Sequence, residues 1–178
     1  MMKSSDIPEN EYSIFQATYI KAAGDEDLYE DLEISLHNFI RFVQDIPMDK
    51  FDYRYADGKW TIKEIIQHII DTERVFSYRA LRIARNDKTA LPGFDENAFA
   101  MNTNANERHL QSLLTELSIV RQGTLALFKS FSEEQLRRIG IASNTELSVR
   151  AIGFIIIGHQ KHHQKVFQEK YLQTIENN

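Results

Sequence analysis

His159 and His163 stand four residues apart in a stretch, Val149 to Phe167, whose apolar residues recur at three- and four-residue spacing. On a helix, that spacing puts two side chains about 40° apart on one face and one turn apart in height, where two imidazoles reach a single ion. Ile152, Ile155, Ile156 and Val166 lie in line with the pair, so both rings face whatever the helix packs on. Two nitrogens make a weak site, and a third is expected from another inward-facing position. His68, set among Ile62, Ile65, Ile66 and Ile69, meets that condition. With imidazole as the ligand, the expected cofactor is a divalent metal ion, zinc or nickel. Each of the three also has a plainer reading, a core histidine hydrogen-bonded to a backbone carbonyl, which periodicity alone does not exclude.

Asp71, one turn past His68, is the candidate catalytic carboxylate: it could accept the second N–H of an imidazole or take a proton from a nucleophile. A solvated helix carboxylate is the alternative. Asp95-Glu96 follows Pro92-Gly93 and either reaches the same cavity or ends a turn. His162 offers a competing i, i+3 pairing with His159 but points to its other side, toward surface or surroundings, and His37 and His109 have no partner at ligand spacing. Arg74, Arg79, Arg82 and Arg85 make one helix basic in its second half, a solvated face from which one member could hold an anion.

The elements that must position these residues are helices, since only seven Gly and three Pro interrupt the chain and no strand is expected. Leu28, Leu32, Leu36, Phe39, Ile40 and Val43 mark a first helix that stops near Ile46-Pro47. Thr61 and Glu64 form a capping box that starts a second, running to about Arg85. Residues 86–104 are longer than a link between adjacent helices requires, as loops over sites often are. Leu110 to Phe131 carries a third helix, Ser132 and Gln135 cap a short helical segment closed by Gly140, and a fourth helix spans about Ser148 to Tyr171. One domain of 178 residues, with its core between about 25 and 172, is expected.

Composition narrows the chemistry. A net charge of −5, with no run of Lys or Arg longer than a pair, disfavours nucleic acid as partner. With no cysteine, any metal must rely on imidazole and carboxylate, and any thiol nucleophile must come from outside. No apolar leader or membrane span is seen, so a cytoplasmic location and no membrane partner are expected.

The run from Tyr53 to Glu64 (Tyr-Arg-Tyr-Ala-Asp-Gly-Lys-Trp-Thr-Ile-Lys-Glu), followed by His68 and Asp71, together with His159-Gln160-Lys161-His162-His163, resembles the DinB/YfiT-like superfamily. Glu73-Arg74-Val75-Phe76, Tyr78 to Arg82 and Leu91 to Glu96 are similar to one subgroup of it, and the likeness spans about Asp25 to Leu172. The resemblance implies an all-α four-helix bundle of up-and-down type, a metal held by His68, His159 and His163, and a homodimer. It also implies a choice of activities. Characterised relatives use low-molecular-weight thiols, transferring bacillithiol or mycothiol to small electrophiles or isomerising a maleyl compound, while many others are described only as metal-dependent hydrolases. The expected function is therefore a metal-dependent enzyme that activates a small thiol against a small-molecule substrate. A hydrolase activating water and a non-catalytic metal-binding bundle are the alternatives.

Overall fold

The computed structural model describes residues 1–172; the last residues of the expected domain, 173–178, lie outside the described residues. Helices α1 (Ile14–Ala23), α2 (Leu28–Gln44), α3 (Ile62–Ala84), α4 (Glu96–Met101), α5 (Leu110–Lys129), α6 (Glu133–Leu136) and α7 (Val149–Val166) follow one another, with a hairpin of β1 (Ile139–Ala142) and β2 (Thr145–Ser148) inserted before α7. A wider, π-type turn over Phe167–Tyr171 extends α7 to the limit expected of the fourth helix.

Local chemistry sets these limits. The Asp27 side chain accepts the N–H groups of Tyr29 and Glu30 at the start of α2. Thr61 and Glu64 close the anticipated capping box on α3, and Ser148 accepts from Ala151 N–H at the head of α7. Each bond satisfies a donor that the first helical turn leaves free.

The four long helices α2, α3, α5 and α7 make the bundle. α2 packs on α5 and α7, and α3 packs on the same two, so α2 and α3 lie across the diagonal. Side-chain pairs fix the directions. Gln67 meets Arg108, Arg74 meets Glu116 and Ser77 meets Thr124, so α3 and α5 run in parallel. Leu28 lies against Gly153, the Ser35 carbonyl accepts from Gln160, and Phe39 stacks near Phe167, so α2 and α7 are parallel too. His68 faces His163 while Trp60 receives the Tyr171 hydroxyl, which makes α3 and α7 antiparallel. The directions are thus up, down, down, up. Parallel neighbours explain the long segment after α3: the chain must return the full length of the bundle before α5 begins.

A polar layer divides the core. Toward one end Leu28, Leu32, Phe76, Phe128 and Ile152 pack together, and toward the other Leu36, Phe39, Ile69, Leu117 and Phe167 do. Between them lies Arg121, 1% exposed. Its guanidinium donates to both carboxylate oxygens of Glu73 at 2.8 and 2.9 Å, to the Leu32 carbonyl at 3.0 Å, to Ser35 Oγ at 3.2 Å and to Gln160 Oε1 at 2.9 Å. All four bundle helices meet on this one side chain, and every one of its donor groups is satisfied, as a buried ion pair requires.

Three elements differ from expectation. No strand is expected, yet a hairpin fills the stretch between the short segment closed at Gly140 and the fourth helix: Ile139 pairs with Ser148 and Ala142 with Thr145 around Ser143 and Asn144. Those two residues have φ of 51° and 62°, the left-handed pair that a tight hairpin turn demands. α1 lies outside the bundle against α7, at Gly158, where an added Cβ would come within 1.8 Å of the Tyr19 carbonyl oxygen. Only glycine allows that approach. α4 folds within the segment expected to be loop.

Candidate metal centre

α3 presents His68 and α7 presents His159 and His163 to one point. His68 Nε2 and His159 Nε2 are 3.0 Å apart, His163 Nε2 and His159 Nε2 are 3.1 Å apart, and all three ligand atoms lie within 4.8 Å of one another. Three nitrogens bound tetrahedrally to one ion at about 2.0–2.1 Å would sit ~3.3 Å apart, so the observed cluster is close to that geometry. Burial pushes His68 down to about 4. It also holds His159 and His163 well below the ordinary imidazole value, with the other imidazoles adding to the effect. The rings are therefore neutral at physiological pH, with lone pairs available to a cation. The donor set fits a divalent metal ion.

What surrounds the rings departs in part from expectation. Thr72 Oγ1, and not Asp71, stands near the second nitrogen of His68, at 3.4 Å from Nδ1. Asp71 is half-buried and turned away, accepting from Gln67 Nε2 at 2.9 Å and lying 3.8 Å from Arg74. Its geometry does not provide the orienting contact to His68. Burial pushes its carboxyl up, the Gln67 bond notwithstanding, and it still lines the narrow space over His68 with Phe94, Glu96, Phe99, Ala100 and Thr103. The two acidic neighbours in that loop have separated: Asp95 caps α4 through Ala98 N–H, whereas Glu96 reaches the space. Partial burial, then the charge of Asp95, pushes the Glu96 carboxyl up.

Tyr19 of α1 sets its ring edge on His159 at 5.4 Å between centroids and on His162 at 5.7 Å, and Trp60 covers His68 at 4.9 Å. His163 Nδ1 is buried with no hydrogen-bond partner among the described residues. His37 is exposed, and His109 takes the N-cap position of α5. Of the four arginines expected on a solvated face, Arg79 is buried and bonds the Pro92 carbonyl at 2.9 Å and Ser143 Oγ at 2.8 Å, tying the return segment and the hairpin to α3. The sequence reading missed Arg121 and its layer, although a polar residue among Leu113, Leu114, Leu117 and Phe128 is a signal of sorts.

Residues 31–167 match the DinB superfamily. The chain belongs to that superfamily. A protein of Oceanobacillus iheyensis that bears the name "Putative metal-dependent hydrolase" is 24% identical over 143 residues, covering 78% of this chain and 82% of that one. Among solved structures, YfiT from Bacillus subtilis, described as a probable metal-dependent hydrolase with an unusual four-helix bundle topology, shares the fold with a TM-score of 0.73 at 17% identity, over 92% of this chain and 90% of that one. A mycothiol-dependent maleylpyruvate isomerase shares it with a TM-score of 0.63 at 11% identity, over 93% of this chain and 62% of that one. The parallel helix neighbours found here agree with a bundle of unusual topology. No helix among the described residues is long and apolar enough to cross a membrane.

Proposed function

We propose that this DinB-superfamily chain is a metal-dependent enzyme whose ion is held by His68, His159 and His163 and whose nucleophile is a small thiol supplied from solution. The observation that carries this reading is the convergence of three imidazoles, with His68 Nε2 and His163 Nε2 at 3.0 and 3.1 Å from His159 Nε2 and all three ligand atoms within 4.8 Å of one another. A divalent ion bound there would leave a coordination position open and lower the pKa of the thiol or water that enters it. The chain's own groups do the rest. Asp71 and Glu96 line the closed space against His68, both pushed up by burial, and are the candidates for taking a proton from the nucleophile. Phe94 and Phe99 line that narrow space, and Trp60 packs on the His68 ring, so apolar groups cover this histidine.

A thiol is favoured because the chain shares its fold with a mycothiol-dependent isomerase. Water in the same position gives the second reading, a hydrolase, which the name of the Oceanobacillus relative favours. A homodimer located in the cytoplasm completes the proposal, with sedimentation velocity to check the assembly.

Elemental analysis of protein purified without an affinity tag identifies the metal. Absorption of the cobalt-substituted protein on adding a thiol then separates the readings: a new sulfur-to-cobalt band supports the thiol, and an unchanged spectrum together with ester hydrolysis supports water. Absence of bound metal after loading and dialysis would overturn both.

A further inference from the structure

Beside His163 lies a cavity of about 290 Å³, walled by Trp60, Tyr55 and Tyr171 with Ile65 and Val166, and edged by Lys59, Asn97 and His162. Its size is near the lower end of ligand pockets, enough for one small ring with a short substituent. The walls are preset. The Tyr171 hydroxyl donates to the Trp60 carbonyl, and the Tyr55 and Tyr171 rings meet edge to face at 5.1 Å.

Charge in this cavity has one sign. No carboxylate lines it among the described residues. The neighbouring cation, Arg54, is consumed by Glu64, to which it donates at 2.7 and 2.8 Å. Lys59 is different: its ammonium lies 6.0 Å from the Tyr55 ring centroid and makes no ion pair among the described residues. Asn97 stands with it at the cavity edge, and both side chains are exposed to an entering ligand. An uncommitted cation and an exposed amide at the edge of an aromatic slot complement an anion carried on a flat apolar body.

We propose that this cavity is the substrate subsite and that it selects small aromatic carboxylates, with the ring between Trp60 and the tyrosines and the carboxylate on Lys59. The proposal rests on the metal-enzyme reading only for the use to which the bound acid is put, since the contacts belong to the cavity itself.

Trp60 is the only tryptophan in the chain, so its fluorescence reports this cavity directly. Phenylacetate and its neutral isostere phenylacetamide are titrated into wild type, Lys59→Met and Lys59→Arg, each with chelator and again with zinc. The expected result is that phenylacetate binds at least about tenfold more tightly than the amide, that Lys59→Met removes most of that preference, and that Lys59→Arg restores it, with or without zinc. Equal affinity for acid and amide, no binding of either up to tens of millimolar, or full acid preference in Lys59→Met would overturn the proposal. Acid binding that needs zinc but not Lys59 would place the carboxylate on the metal and overturn it as well. Lys59-dependent binding in a protein that takes up no zinc would leave the subsite standing and remove only the metal reading.

Discussion

Acid should destabilise the metal-free protein well before its carboxylates titrate. His68 is 6% exposed, and burial brings its pKa from 6.5 down to about 4. Because the native value is depressed, the unfolded chain binds a proton below about pH 6.5 that the native chain refuses, and stability falls with pH through that window until the native ring also protonates. For His68 alone the loss between about pH 7 and about pH 5 comes to ~2 kcal/mol. His159 and His163 are shifted the same way and add to it. Two groups oppose the trend: Asp71 and Glu96 are raised by burial, so protonation relieves them as pH falls. Against burial, Arg150 holds Glu11 low and Arg54 holds Glu64 low, so these acids lose their contribution only near and below the ordinary carboxylate range, about pH 4. Urea unfolding of chelator-treated protein at the two pH values measures the difference. Wild type should lose at least about 2 kcal/mol, and His68→Gln should lose less by roughly that amount. Equal unfolding free energies for wild type at both pH values would refute the assignment of neutral, buried imidazoles. Adding the metal should steepen the dependence, because protons then compete with the ion as well.

Alanine at His68, His159 or His163 should remove most bound metal, whereas alanine at His37, His109 or His162 should not; stoichiometry by elemental analysis checks this, with full loading of His68→Ala as the contrary result. Glu73→Ala leaves Arg121 buried and uncompensated and should cost about 3–5 kcal/mol, while the double variant Glu73→Leu, Arg121→Met should recover much of it; chemical denaturation reads both. Gly158→Ala should push α1 off α7 and raise hydrogen exchange in Ile14–Ala23, and unchanged exchange would show that the helices yield in some other way. Asp71→Asn should leave metal affinity within about a factor of three, since its carboxyl faces Gln67 and Arg74, whereas a drop of about 10- to 100-fold would restore its role in orienting His68.

The histidine cluster was legible because its members obey helical periodicity: each sits on the apolar stripe of its own helix, so burying the stripes brings the rings together. Helix starts were legible for the same local reason, as Thr61 with Glu64 shows. The hairpin was hidden because its turn is Ser143-Asn144 and not the Asn-Gly that usually marks one, although Ile139 and Ile141 alternate with small residues. α1 has a weak stripe, with Ile14 and Phe15 exposed, and its place is set by the glycine notch at Gly158, a contact between distant residues. Arg121 and Glu73 look like solvated charges one at a time, and only helix order puts them face to face. Asp71 was one turn from His68 as expected, but neighbourhood on a helix does not decide which way a carboxylate turns when Gln67 lies four residues back and offers it a donor.

The parallel run of α3 and α5 obliges the chain to send a connecting segment back along the bundle, and in this protein that segment passes over His68, contributing Phe94, Glu96, Phe99, Ala100 and Thr103 to the space above it. It is anchored to α3 at both ends, by Arg79 on Pro92 and by Asn106 on Thr61 and Glu64, outside that group of residues. Scaffold and wall are thereby assigned to different stretches of sequence. The helices keep the imidazoles and the Arg121 layer, while the returning stretch buries only Leu91, Ala100 and Ala105 and leaves most of its other side chains exposed or partly so. A change of wall at positions 94–103 would alter what lies over His68 while leaving its helix in place.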